Sequence, residues 1–114
     1  MVEVIFFERR GEAPAADHLR VEFEAGHHGV LGSFERAIDH VTAVGTTAGM
    51  PHTRIIDREN RIWELRFGAS RIAYIIEGES MVLLNGWRKK SQKLDAREAA
   101  KAARYAEEWR SQHA

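Results

Sequence analysis

The sequence predicts an α+β domain: an N-terminal strand, two helices, an antiparallel sheet of three to four strands and a C-terminal helix. Three observations carry that expectation. "VEVIFF" (2–7) is rich in β-branched and aromatic residues. Apolar residues then recur at helical spacing, and past residue 53 the pattern changes to four short extended runs. The chain closes on "LDAREAAKAARYAEEW" (94–109), whose six alanines give it high helix propensity.

After the first strand, "RRGEAP" (9–14) reads as a polar turn. "AADHLRVEFE" (15–24) places Ala15, Leu19 and Phe23 four residues apart, a short helix starting near Pro14, whose fixed φ suits a first turn. "AGHHGVLGS" (25–33) interrupts with three glycines. "SFERAIDHVTAV" (33–44) follows as a helix with Ser33 as N-cap and Phe34, Ala37, Ile38 and Val41 on one face. "GTTAGMP" (45–51) reads as loop.

The extended runs are "RIID" (54–57), "RIWELRF" (61–67), "RIAYII" (71–76) and "SMVLLNGW" (80–87), separated by "DREN", "GAS" and "EGE". Connectors this short favour antiparallel hairpins. Alternation puts Ile62, Glu64 and Arg66 on one face of their strand, with Trp63, Leu65 and Phe67 on the other. Arg71, Ala73 and Ile75 likewise oppose Ile72, Tyr74 and Ile76. Trp63 and Tyr74 read as core. Asp95 with Glu98 forms a capping-box pattern, Leu94 and Ala99 sit at staple positions, and "RSQHA" (110–114) reads as a fraying tail. The helices are expected on one face of a curved sheet.

A chain of 114 residues fits one domain, 1–114. No apolar run approaches the ~20 residues a membrane-spanning helix needs. No basic segment precedes the first apolar stretch, so no secretory signal is expected. With no cysteine there are no disulfides or thiolate metal sites, which agrees with a cytoplasmic location. The net charge of zero hides a pattern. Residues 1–53 hold four basic and eight acidic residues, 54–93 nine and five, and 94–114 four and four. The basic excess concentrates in "WRKKSQK" (87–93), which suggests a focused anionic partner.

The stretches "ELR" (64–66), Arg71, "LLNGWRKKSQK" (83–93) and the helix from Asp95 resemble, in order and spacing, the RelE/HigB superfamily of toxins from bacterial type II toxin–antitoxin systems, in particular its phage-related HigB-like branch. The resemblance covers residues 61–110. Asn85 stands where that branch usually has His, and Trp87 where it has Phe. The resemblance implies a RelE-like, microbial-RNase-like fold and an endoribonuclease that cuts messenger RNA on the ribosome, without metal or organic cofactor. It also implies a cognate helix-turn-helix antitoxin, with DNA contacted only through that partner. The departure at Asn85 removes a candidate imidazole acid/base. It keeps open a non-cleaving module of the same fold that binds RNA, the ribosome or the antitoxin. A third reading is a small phage-derived structural protein.

Metal-free RNA cleavage needs a base for the 2′-hydroxyl, cations for the developing phosphorane charge and a donor for the leaving oxygen. Arg66 and Arg71, on adjacent strands, are the candidate phosphate clamp, since a guanidinium holds two phosphate oxygens at once. Lys89 and Lys90 are candidates for charge stabilisation or proton transfer. Arg88 and Lys93 are candidate RNA contacts. Trp87 offers either a stacking surface or a core plug. His52 and Glu64 are the candidate bases. Arg66 also has a plainer reading, pairing with Glu64 or Glu77 on a solvated face. His27–His28 resembles a metal pair but lacks a third ligand in the sequence pattern and reads as solvated.

Overall fold

The computed structural model describes residues 2–44, 52–91 and 93–114; the loop expected at 45–51 lies outside them. Chain order is β1 (Glu3–Phe6), α1 (Pro14–Glu24), α2 (Val30–Val44), β2 (Thr53–Asp57), β3 (Ile62–Phe67), β4 (Ser70–Glu77), β5 (Ser80–Arg88) and α3 (Ala96–Gln112). The last four strands form the expected antiparallel run. β1 adds a fifth strand at its edge, giving the order β1-β5-β4-β3-β2. It pairs parallel to β5, with Glu3 opposite Ser80 and Phe6 opposite Leu83.

The two tight hairpins are built alike. Phe67 faces Ser70 across Gly68–Ala69, and Glu77 faces Ser80 across Gly78–Glu79. In each, a glycine at positive φ takes the first turn position (Gly68 +59°, Gly78 +61°). That geometry matches the right-handed twist of the flanking strands.

The expectation that all helices lie on one face is corrected. Helices α1 and α2 cover one face through Ala15, Leu19, Ala37 and Val41, packed on Leu65, Phe67, Ile72, Tyr74, Met81 and Leu83. Helix α3 covers the other, with Ala102 and Ala106 on Ile62, Ala73, Ile75, Val82 and Leu84. The central strands are apolar on both sides, so each side needs a cover, and alanine lets α3 sit close to the sheet. Phe6 and Phe7 divide between the faces, one beside Phe34 and the other stacked on Tyr105 of α3. Tyr74 is fully buried, and Trp63 packs at the edge of the first cluster.

Three local expectations change for stated reasons. In α1 the buried stripe is Ala15, Leu19 and Glu22, while Phe23 is 42% exposed. At 3.6 residues per turn, i+7 returns to the face and i+8 has rotated off it. Helix α2 starts at Val30, before Ser33, whose backbone N–H already bonds Gly29 O at 3.1 Å; Ser33 is an interior residue, not the N-cap. At α3, Asp95 caps as expected by accepting from the Glu98 N–H at 3.1 Å, but the Glu98 carboxylate receives Asn85 Nδ2 at 3.0 Å. The expected frayed tail is helical to Gln112, with Arg110 bonded to Glu77 and, at 2.8 Å, to Asn60 O.

Two irregularities fix which side chains face which way. In β2, Asp57 faces Ile62 but Ile55 faces Trp63, so Ile56 is an extra residue. In β5, Ala73 faces Asn85 but Tyr74 faces Leu83, so Leu84 is extra. A bulge of one residue inverts the facing of everything beyond it. The first sets Arg54 opposite Glu64, and the second sets Trp87 opposite Arg71.

Candidate functional site

Helix α3 covers only part of its face of the sheet. Where its apolar bed ends, the same face continues as charged residues. Alternation along β3 brings Glu64 and Arg66 there, and the β2 bulge brings Arg54. Arg71 stands directly opposite Arg66 on β4, and Trp87 opposite Arg71 on β5. Past the end of β5, the Lys89 N–H donates to Ala69 O at 2.8 Å, which keeps the chain in line for one more step. Lys89 therefore falls on the same side as Trp87. Lys90 and Lys93 follow in the segment that leads to α3.

These residues line one cavity of about 230 Å³, closed at its rim by Leu94 and Asp95. Six cationic side chains (Arg54, Arg66, Arg71, Lys89, Lys90, Lys93) face two anionic ones (Glu64, Asp95). Such an excess in a concave, partly desolvated site is a strong attractor of anions. Leu94, expected to staple the helix start, is 41% exposed and lines this rim.

Glu64 is the organising anion. It is 2% exposed, and its Oε1 lies 3.4 Å from Arg54, 3.7 Å from Arg66 and 3.7 Å from Arg71. Two arginines directly across a strand pair repel, and a carboxylate between them removes that conflict. Arg71 is 5% exposed, and its Nη1 donates to Gly68 O at 2.9 Å and Ser70 O at 2.8 Å. Burial lowers its guanidinium from the ordinary value, opposed by Glu64. An arginine stays charged through such a shift.

A second cavity of about 480 Å³ adjoins the first around the β3–β4 turn. It shares Arg66, Arg71 and Lys89 with it and adds Ser33, Arg36 and His52. His52 thus stands beside the cationic cluster but in the neighbouring hollow, its ring 4.5 Å from that of His40.

The fold therefore brings Arg66, Arg71, Lys89, Lys90, Lys93, Glu64 and Trp87 to one cavity, with His52 adjacent. Trp87 is 8% exposed within the apolar cluster under α3, as the core-plug reading has it, and it also lines the cavity. Arg88 is the expected RNA contact that the fold sends elsewhere. After the β5 bulge it points to the α1 side, where Nη1 donates to Glu22 Oε2 at 3.0 Å. Asn85 is buried against the first turn of α3, donating to Glu98 O at 3.2 Å as well as to its carboxylate. A side chain at that position ties strand to helix. His27 pairs with Glu22 at 3.6 Å and the His28 ring lies against Phe23, so the adjacent histidines part ways. Among the described residues, no three potential metal-ligating side chains converge. No helix among them is long and apolar enough to cross a membrane.

Sequence reasoning passed over two groups. Arg54 lines the cavity, but its facing depends on the bulge. Counting back from Asp57 opposite Ile62 without it would put Arg54 on the far side. His18 and Glu22 form a buried polar cluster on the α1 face: His18 Nε2 is 3.1 Å from Ser70 Oγ and 3.8 Å from Glu22. Burial pushes the His18 imidazole down, with Glu22 pulling the other way. Gly86 lies directly beneath that ring, where an added Cβ would come within 2.7 Å of it. The signal was Gly86 in mid-strand, which marks a close approach.

Comparison with protein families matches residues 22–107 to the family described as phage derived protein Gp49-like (DUF891). No curated protein matches the chain.

Proposed function

Because the chain belongs to the phage-derived Gp49-like family, which is associated with RelE-like toxins of toxin–antitoxin systems, we propose that it is the toxin of a type II system of the RelE/HigB kind. In this reading it is an mRNA endonuclease that works on the ribosome in the cytoplasm, without metal or organic cofactor. A cognate helix-turn-helix antitoxin restrains it and supplies any DNA contact. The observation that carries the proposal is the convergence of Arg66, Arg71, Lys89 and Lys90, drawn from three separate parts of the chain, on one cavity.

The chemistry follows from the arrangement. A strand of RNA enters the hollow with a phosphodiester between the arginines and the lysines. Arg71, fixed by two backbone carbonyls, serves as a rigid reference for the phosphate. Arg66 beside it supplies a second fork, and Lys89 and Lys90 meet the charge that grows as the 2′-oxygen attacks phosphorus and the 5′-oxygen leaves. Preorganised cations in a water-poor site are a large part of such catalysis. Trp87, at the cavity wall, is the stacking partner for a base, and Lys93 holds the flanking backbone.

A second reading, a non-cleaving RNA-, ribosome- or antitoxin-binding module, is favoured by one observation. Glu64 is enclosed by arginines and His52 lies in the adjoining hollow, so proton abstraction has no dedicated group at the cavity's centre. Induced expression with mapping of transcript ends separates the two. Growth arrest with new ends inside translated messages is expected. Neither arrest nor new ends, with RNA binding retained, gives the answer to the second reading.

A further inference from the structure

The cavity holds more guanidinium groups than a two-arginine clamp requires, and one buried carboxylate stands at their centre. The three arginines come from three adjacent strands, and all approach the same oxygen, Glu64 Oε1. Distances of 3.4–3.7 Å are those of ion pairs rather than hydrogen bonds. Glu64 Oε1 and Arg54 Nε are buried atoms without a hydrogen-bond partner. Buried polar atoms are normally satisfied, so the Arg54 N–H left open at a cavity wall marks a place where an oxygen of an anionic ligand completes the network, while Glu64 Oε1 is held by its three ion pairs. One negative charge against three positive ones also leaves two uncompensated.

We propose that Arg54 is a third phosphate-binding guanidinium of this cavity, and that Glu64 is a positioning residue that gathers Arg54, Arg66 and Arg71 around a single phosphodiester. The proposal rests on the RNA reading above for the class of ligand. Its logic is electrostatic. Three guanidiniums without an anion between them would splay toward water, whereas a carboxylate beneath them holds them convergent before the substrate arrives. Arg71 is fixed by the turn and nearly buried. Arg54 lies on the edge strand with a third of its side chain exposed, which leaves it able to close on the phosphate. Glu64 then acts through the arginines and takes no proton.

The probe is a single-stranded 2′-O-methyl oligoribonucleotide, which cannot be cut by its own 2′-oxygen, with binding followed by fluorescence anisotropy across a salt series. Arg54→Ala is expected to weaken binding by roughly 3–10-fold and to reduce the slope of log affinity against log salt by ~0.7, the value of one phosphate contact on a single strand. Arg54→Lys restores the slope. Glu64→Gln removes a negative charge but also releases the arginines it gathers, so it is expected to keep the parent's salt slope, because no phosphate contact is deleted. It should cleave unmodified RNA at least ~10-fold more slowly, with an unchanged shape of the pH–rate profile. Unchanged affinity and slope in Arg54→Ala would overturn the proposal. So would loss of one limb of the pH profile in Glu64→Gln, since that marks a base. If Glu64→Gln does not fold, the edge-strand variants Arg54→Ala and Arg54→Lys decide alone. A parent protein that binds the oligonucleotide but cuts nothing ends the cleavage reading and leaves the array to be judged by the slopes. A parent that binds neither the oligonucleotide nor inorganic phosphate overturns the array.

Discussion

Two glutamates lie buried on opposite faces of one sheet, each ringed by basic side chains. Glu64, on the α3 side, meets three arginines and opens into a cavity with three more lysines. Glu22, on the α1 side, meets His18, His27 and Arg88. Around Glu22, Arg88 balances the carboxylate and the histidines are neutral unless protonated. Around Glu64 cation remains in excess. The Glu22 cluster joins α1 to β5, with the His18 ring pressed on Gly86, and Glu22 lines neither of the two cavities described above. A buried carboxylate with basic neighbours is thus no sign of a site by itself. Excess charge of one sign, together with access, distinguishes the α3 side.

That contrast can be tested from both ends. The largest effect is expected from replacing Lys89 and Lys90 together with alanine. Both are exposed, so folding stability should stay within about 0.5 kcal/mol of the parent, while cleavage should fall by ~100-fold or more. Denaturant melts alongside transcript-end mapping check both parts. A stability loss in step with the activity loss would assign the lysines to the scaffold.

Glu22→Ala should do the reverse. It leaves His18 buried beside Ser70 and Arg88 without its partner, and should destabilise the chain by about 1–3 kcal/mol in a urea titration. RNA affinity, measured well below the melting temperature, should stay within about twofold, a difference under ~0.5 kcal/mol. If affinity drops with Glu22, the two faces are coupled and the contrast fails.

The smallest effect concerns pH. Burial depresses the His18 pKa in the folded state. Between that depressed value and the ordinary ~6.5, the unfolded chain binds more protons than the folded one, so stability rises with pH. The His18 contribution should therefore be flat above about pH 6.5 and decline as acid is added below it. Replacing His18 with Gln should flatten that part of the profile. An unchanged profile would mean that the imidazole carries no folding-linked proton.

Much of this was legible in the sequence, and particular residues show where legibility stopped. The hairpins at Gly68 and Gly78, the cap at Asp95, and the sharing of one face by Glu64 and Arg66 all follow from local chemistry and strand period. The convergence of Arg66, Arg71 and the lysines was expected because the strands carrying them are joined by short connectors, "GAS" and "EGE". Arg88 was expected beside the lysines and does not line their cavity; Arg54 was not expected there and does. Both follow from bulges, at Leu84 and Ile56, that no local residue type announced. Glu22 rather than Phe23 continues the buried stripe of α1 because i+7 from Ala15 stays on the face, and what makes its burial tolerable is Arg88, brought there by β5.

By itself the sequence determined the order of the elements, the alternation within each strand and the concentration of positive charge between residues 54 and 93. These depend on short-range sterics and on side-chain period, which a chain carries wherever it goes. Only the tertiary structure decided that α3 covers part of one face and leaves the rest open, and which side chains the opening receives. Strand facing has a period of two, so one inserted residue reverses it, and whether a residue is inserted depends on how whole strands settle against each other and their helices.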